Sequence, residues 1–181
     1  MGVDAWDRGD FATALREWTP LAEQGFAFAQ FNLGLLYRNG DGVPQDDKTA
    51  VKWFTLAAEQ GFAFAQYNLG FMYANGNGVS QDYATAMKWW TLAAEQGVAS
   101  AQYTLGLMYD KGQGVPQDNQ TAVKWYTLAA EQGDADAQYN LGVIQDDVYA
   151  HMWANIAASN GNENGAQVRD LVPKEMTPAD I

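Results

Sequence analysis

The chain contains no cysteine, which excludes disulfides and thiolate metal sites and leaves the redox compartment unreadable. Histidine occurs once, as His151, among Tyr149, Met152 and Trp153. Serine occurs only at Ser80, Ser100 and Ser159, and none opens a Ser-x-x-Lys motif. One imidazole and three scattered hydroxyls supply neither a metal cluster nor a nucleophile with its base, so packing or solvent exposure is the reading for His151. Basic residues are also scarce: 10 Lys and Arg against 22 Asp and Glu, a net charge of -12. A chain this acidic repels phosphate, which disfavours nucleic acids and anionic membrane surfaces as partners. Its carboxylates are spread over turns, caps and outward faces and do not pair as a catalytic dyad. No apolar run reaches the ~18 residues that a membrane span needs. The opening MGVDAWDRGD has no basic and apolar leader. The expected location is periplasmic or secreted if a leader has been removed, and cytoplasmic otherwise. Met1-Gly2 begins a myristoylation pattern that Trp6 breaks.

What the chain has in quantity is hydrophobic side chains, 48% of the total with seven Trp, enough to bury a core, and it has a period. Ala-Glu-Gln-Gly ends at Gly25, Gly61, Gly97 and Gly133, a spacing of 36 each time. Leu-Gly recurs at Gly34, Gly70, Gly106 and Gly142, and Trp at 53, 89 and 125. Each unit reads as two helices. Helix A runs from about Phe26 to Asn39, with Ala29, Leu33, Leu36 and Tyr37 at helical spacing. Gly40 to Pro44 ends it and makes the turn. The Gly40-x-Gly42 pattern superficially resembles a phosphate loop, but no Lys follows at the right spacing, and the turn reading prevails. Asp46 then offers an N-cap, and helix B runs to about Gln60 with Ala50, Trp53 and Ala57 on one face. Trp53, Trp89, Trp125 and Trp153 read as packing between helices B and A. Neither helix can bury its stripe alone, so the hairpins must stack.

The units are 25–60, 61–96 and 97–132, with a partial pair at 1–24, in which Pro20 should bend the second helix. A shortened unit spans 133–160 and a cap 161–181. The chain stops where Thr177-Pro178 reads as the start of another helix, which suggests a trimmed fragment. In the shortened unit Ile144 is followed directly by Gln145-Asp146, the equivalent of Gln117-Asp118 at a spacing of 28. The missing eight residues correspond to Tyr109 to Pro116. Either a very tight turn closes this hairpin, or its helices fuse into a rod whose second half, with Trp153, docks on a second molecule. The fused rod, giving a domain-swapped homodimer, is the favoured expectation.

The recurring pattern A-x-A-Q-x-x-L-G-x-x-Y-x-x-G-x-G-V-x-x-D-x-x-x-A-x-x-W-x-x-x-A-A-x-x-G resembles the Sel-one-like repeat (SLR) family, a relative of the tetratricopeptide repeats, from Gly25 to Gly161. The resemblance implies an all-α fold, a right-handed α/α superhelical solenoid of helix hairpins in 36-residue repeats, with the A helices lining a concave face. It also implies an adaptor in protein complexes. Penicillin-binding or lactamase-like hydrolysis, proposed for some relatives, finds no nucleophile among these residues.

Carried over from the tetratricopeptide groove, the lining positions are Phe28, Phe31, Leu35, Arg38 and Asn39 in the first full unit. They are Phe64, Tyr67, Phe71, Ala74 and Asn75 in the second, and Ser100, Tyr103, Leu107, Asp110 and Lys111 in the third. The fourth unit places Asp136, Tyr139 and Val143 there. The groove is thus aromatic in its first half and polar in its second. Asn32, Asn68, Thr104 and Asn140 form a polar ladder that either ties neighbouring hairpins or binds a peptide backbone. Phe26 and Phe62 are set apart as residues that can pack on the preceding helix B. The expected contact set is Phe28, Phe31, Asn32, Leu35, Phe64, Tyr67, Asn68, Phe71, Tyr103 and Leu107, serving a protein or peptide ligand. No catalytic residue, cofactor or metal is expected. A self-assembling scaffold, natural or engineered, is the alternative function.

Overall fold

The computed structural model describes residues 2–144. Within them every regular element is a helix: α1 (Gly2–Asp7), α2 (Phe11–Glu23), α3 (Ala27–Asn39), α4 (Asp47–Glu59), α5 (Ala63–Asn75), α6 (Tyr83–Glu95), α7 (Ala99–Lys111) and α8 (Asn119–Glu131). Residues 135–144 are helical as well. The odd-numbered helices from α3 onward are the A helices, and α4, α6 and α8 are the B helices. Pro20 lies inside α2, which continues through it to Glu23. The two outcomes expected for the shortened unit, together with His151, Trp153, Ser159 and the 161–181 cap, lie outside the described residues.

Local chemistry sets each boundary. Asp46 accepts from the Lys48 and Thr49 amides at 3.0 and 3.2 Å and from the Thr49 hydroxyl at 2.6 Å. Asp82 and Asp118 repeat this arrangement. In all three the threonine hydroxyl bond, followed by the amide bonds, holds the carboxyl below its ordinary range. At the other end of each A helix, Gly40, Gly76 and Gly112 take left-handed conformations, with φ of 77, 71 and 63°, that side chains with a Cβ disfavour. The Asp46 amide then donates to the Tyr37 carbonyl at 2.9 Å, closing the A–B turn, and Asp82 and Asp118 do likewise with Tyr73 and Tyr109.

The stack is held by successive small cores, each built between one helix B and the helix A that follows. One joins Ala50, Phe54, Ala57 and Ala58 of α4 to Ala65, Leu69 and Met72 of α5. The next joins Ala86, Trp90, Ala93 and Ala94 of α6 to Ala101, Leu105 and Met108 of α7. A hairpin therefore completes its core only with its neighbour, the nearest-neighbour logic of a solenoid.

Inside each hairpin the contact depends on the Leu-Gly glycine. A Cβ built on Gly34 would lie 2.5 Å from the Phe54 ring, on Gly70 2.6 Å from Trp90, and on Gly106 2.5 Å from Tyr126. The buried rings are thus Phe54, Trp90 and Tyr126. The preceding Trp53, Trp89 and Trp125 are half-buried and lean on the core one step back along the stack. Neighbouring helical residues point about 100° apart, so only one of each pair can meet helix A squarely.

A buried glutamine ladder ties the repeats together. Gln66 Nε2 donates to the Ala58 carbonyl at 3.1 Å, and Gln66 Oε1 accepts from Gln96 Nε2 at 2.7 Å. Gln30 and Gln102 make the same pairs, with Ala22 and Gln60 and with Ala94 and Gln132. Each glutamine joins its A helix to the B helix before it and to the B helix after it.

Candidate functional site

Three positions on each A helix lie off its fully buried stripe, although some of them also pack partly on the cores. They are Phe28, Phe31 and Leu35 on α3; Phe64, Tyr67 and Phe71 on α5; Ser100, Tyr103 and Leu107 on α7; and Asp136, Tyr139 and Val143 on the 135–144 helix. Their spacing of i, i+3 and i+7 puts them on one side of each helix, and all are exposed or half-exposed. The alternate side carries Ala29, Leu33 and Leu36 and their repeats, which are buried.

The first two units form an aromatic cluster on this face. Phe31 stacks at 5.1 Å on Phe62 and at 6.4 Å on Phe64, and Phe28 meets Phe62 edge-on at 6.4 Å. Phe31 also reaches the core ring of Phe54 at 6.0 Å, which anchors the cluster. Yet Phe28 and Phe64 keep 50% and 57% of their surface in solvent. Single exposed apolar residues are ordinary, whereas here several rings share one face.

Phe62 packs on the core that holds the preceding helix B, as its sequence position suggests, and reaches the aromatic face as well. It opens α5 at the N-cap position, where its side chain makes no capping bond, and its ring lies on Phe28, Phe31 and Phe64. It belongs to the aromatic face formed with the preceding helix A, and could have been recognised from an apolar residue at a position that favours Ser, Thr or Asp. Phe26, its counterpart one repeat earlier, is 57% exposed.

The asparagine ladder is largely engaged by the fold. Asn32 is buried, and its Nδ2 donates to the Phe28 carbonyl at 2.7 Å. Asn68 donates to the Phe64 carbonyl at 2.7 Å and accepts from Arg38 Nη1, a bridge between the first two A helices. Thr104 donates to the Ser100 carbonyl. These side chains satisfy their own helices, so Asn32 does not offer its amide to a ligand as expected. The tie between hairpins that the ladder suggested is made mainly by the glutamines.

Toward the third and fourth units the face becomes polar. The Tyr103 and Tyr126 rings lie 5.8 Å apart, and Asn140 Nδ2 is 3.5 Å from both hydroxyls. Burial, with the Asp110 carboxylate adding, pushes the Tyr126 phenol far above its ordinary range, so it stays a neutral packing group. Lys111 pairs with Asp110 at 2.9 Å. Among the described residues no group of three His, Cys, Asp or Glu is placed to hold a metal ion, and no helix is long and apolar enough to cross a membrane.

The profile of a family described as Sel1 repeat matches residues 27–62, 63–98, 99–134 and 135–162. A Sel1 repeat protein from Oxalobacter formigenes, 36% identical, superposes with a TM-score of 0.76 over 80% of this chain and 60% of its own. The protein c5321, a protective antigen present in uropathogenic Escherichia coli strains and displaying an SLR fold, is 43% identical with a TM-score of 0.71. It matches over 84% of this chain and 34% of its own. The chain therefore spans less than two thirds of either relative. Helicobacter pylori cysteine rich protein B, 22% identical with a TM-score of 0.58 over 73% of this chain and 95% of its own, shares the fold. Among curated proteins no sequence match was found. With its helix hairpins in register and the family profile matched four times in succession, the chain belongs to the Sel1 repeat family, whose repeats are generally protein–protein interaction modules.

Proposed function

We propose that this protein is a non-catalytic adaptor that holds a peptide or helix of another protein in a concave groove along the free face of its A helices. The observation that carries the reading is the solvent-facing aromatic cluster of Phe28, Phe31, Phe62 and Phe64, extended by Phe71. Rings already packed against one another lose little freedom on binding, and aromatic anchors commonly carry most of the energy of an interface. Tyr67, Leu35, Tyr103 and Leu107 continue the same face as half-exposed neighbours. The test replaces Phe28, Phe64 and Phe71 together by Asp and compares affinity capture of partners with that of the wild type. Partners should be lost while helical circular dichroism is unchanged. Capture of the same partners by the folded variant would reject this groove.

A second reading, homodimerisation through the shortened fourth unit, is favoured by one observation: the fourth family match is eight residues shorter than the others. Light scattering should then give about twice the 19.8 kDa chain mass. Insertion of a copy of Tyr109 to Pro116 after Ile144 should restore a monomer. A monomeric wild type would remove this reading.

A further inference from the structure

Among the positions that line the aromatic half of the face, one is a cation, Arg38, and the way it is held shows what can sit opposite it. Arg38 lies in the last turn of α3, on the same side of the helix as Phe31 and Leu35, and is partly buried. Its Nη1 donates to Asn68 Oδ1 on α5, and its Nε donates to Asn39 Oδ1 at 3.2 Å. Asn68 in turn donates to the Phe64 carbonyl, one helical turn back, and Phe71 follows it within one turn. The bond to Asn68 therefore sets the guanidinium against α5 between Phe64 and Phe71, both of them exposed rings.

Both acceptors are neutral amides, so they fix the guanidinium without cancelling its charge. Among the described residues no carboxylate forms an ion pair with Arg38, and its Nη2 makes no hydrogen bond. Asp41, the nearest acid in sequence, accepts from Asn39 Nδ2 at 3.0 Å instead. A cation in the last turn suits the helix dipole, yet the repeat does not require one. Ala74 and Asp110 hold this position in the next two units, and Thr104, the counterpart of Asn68, bonds within its own helix. A partly buried guanidinium held in place by neutral groups, with an apolar ring on either side, is complementary to a carboxylate. One guanidinium in a chain of net charge -12 suits a single negative charge better than a doubly charged phosphate.

We infer that the segment held by the groove carries an Asp or Glu side chain that pairs with Arg38, flanked by apolar side chains that lie on Phe64 and Phe71. This rests on the adaptor reading above and adds the chemistry of the partner. The carboxylate belongs to a side chain within the segment and not to a chain end, because exposed rings continue on both sides of Arg38. The test uses the full chain and two fluorescein-labelled amphipathic helical peptides with blocked C-termini. They share one leucine pattern and a neutral polar face, and differ only at a central position among the leucines, which is glutamate in one and glutamine in the other. Anisotropy is read at low and high salt. The glutamate peptide should bind about tenfold more tightly, and that preference should shrink as salt rises. The net charge of -12 opposes any acidic peptide, so such a preference has to come from a local cation. Arg38→Gln should keep the helical circular dichroism and the binding of the glutamine peptide, and should remove the preference for glutamate. A Phe64→Ala/Phe71→Ala variant should weaken both peptides by about tenfold or more.

Equal binding of both peptides with the same dependence on Phe64 and Phe71 would overturn the carboxylate inference and leave the adaptor reading standing. A glutamate preference that survives Arg38→Gln, or that ignores the Phe substitutions, would place the carboxylate elsewhere on the molecule and overturn the proposal. Failure of both peptides to bind would overturn it too.

Discussion

Replacing Gly34 by alanine sets two effects of opposite sign against each other. Glycine inside a helix costs about 1 kcal/mol relative to alanine, so on propensity alone the change stabilises. The new methyl, however, would lie 2.5 Å from two carbons of the Phe54 ring. Ordinary carbon contact needs about 3.5–4.0 Å, so the ring must retreat by roughly 1 Å. Phe54 is fully buried among Ala50, Ala57 and Leu69 and has no space to retreat into. Overpacking of this kind typically costs about 1–3 kcal/mol, and this site belongs near the top of that range. The net expectation is a loss of about 1–2 kcal/mol, or a midpoint lower by about 2–8 °C for a chain of this size. Urea and thermal unfolding followed by circular dichroism measure it. Phe54→Leu supplies the second arm, because a smaller side chain makes room for the methyl. The double variant should be about 1 kcal/mol more stable than the sum of the singles predicts. A neutral or stabilising Gly34→Ala, or strict additivity with Phe54→Leu, would refute the claim that the glycine exists for the ring.

Gln66→Leu keeps the volume of a buried side chain but removes the bonds to Ala58 and Gln96, and should cost about 1–3 kcal/mol in urea unfolding; no change would show that the ladder follows the stack without holding it. The N-cap aspartates predict an acid limb. Their folded-state carboxyls titrate below the ordinary carboxylate range, so their contribution is complete above that range and is lost as pH falls through the depressed values. Asp82→Asn should therefore make thermal stability less sensitive to pH in that window, and an unchanged pH profile would rule the cap out as a source of acid lability.

The repeat period and the helix limits were legible because they follow from short-range chemistry. Gly25, Asp46 and Gly40 mark a turn, an N-cap and a left-handed C-cap, each of which acts within a few residues. The free face was legible for a related reason: Phe28, Phe64, Ser100 and Asp136 share one position, and only a position outside the core tolerates that range of polarity. Which aromatic fills the core was not legible. Trp53, Trp89 and Trp125 are identical and draw attention, whereas the buried Phe54, Trp90 and Tyr126 differ from one another. The clue lay on the partner helix, where glycine recurs at 34, 70 and 106 because no side chain fits against the ring. The Gln30, Gln66 and Gln102 series was visible as a constant letter, but a glutamine that bridges three helices becomes recognisable only when those helices are stacked.

The first residue of each A-helix unit offers the sharpest contrast between stability and binding. Phe26 opens α3 with no side-chain capping bond and with 57% of its surface exposed. The equivalent residue of the fourth unit, Asp134, accepts from the Ala137 amide at 2.9 Å, so the backbone geometry of this turn accommodates a side-chain cap. Phe26→Asp should place the same carboxylate on α3. A cap of this type contributes about 0.5–2 kcal/mol, and the mostly exposed ring gives up little by leaving. The expected result is a variant with a higher melting temperature than the wild type, even though it adds a negative charge to an acidic chain. A lower midpoint would mean that Phe26 packs productively within the stack. A higher midpoint would mean that the native phenylalanine holds this position at the expense of the fold. Weaker partner capture by the stabilised variant would then assign that cost to binding.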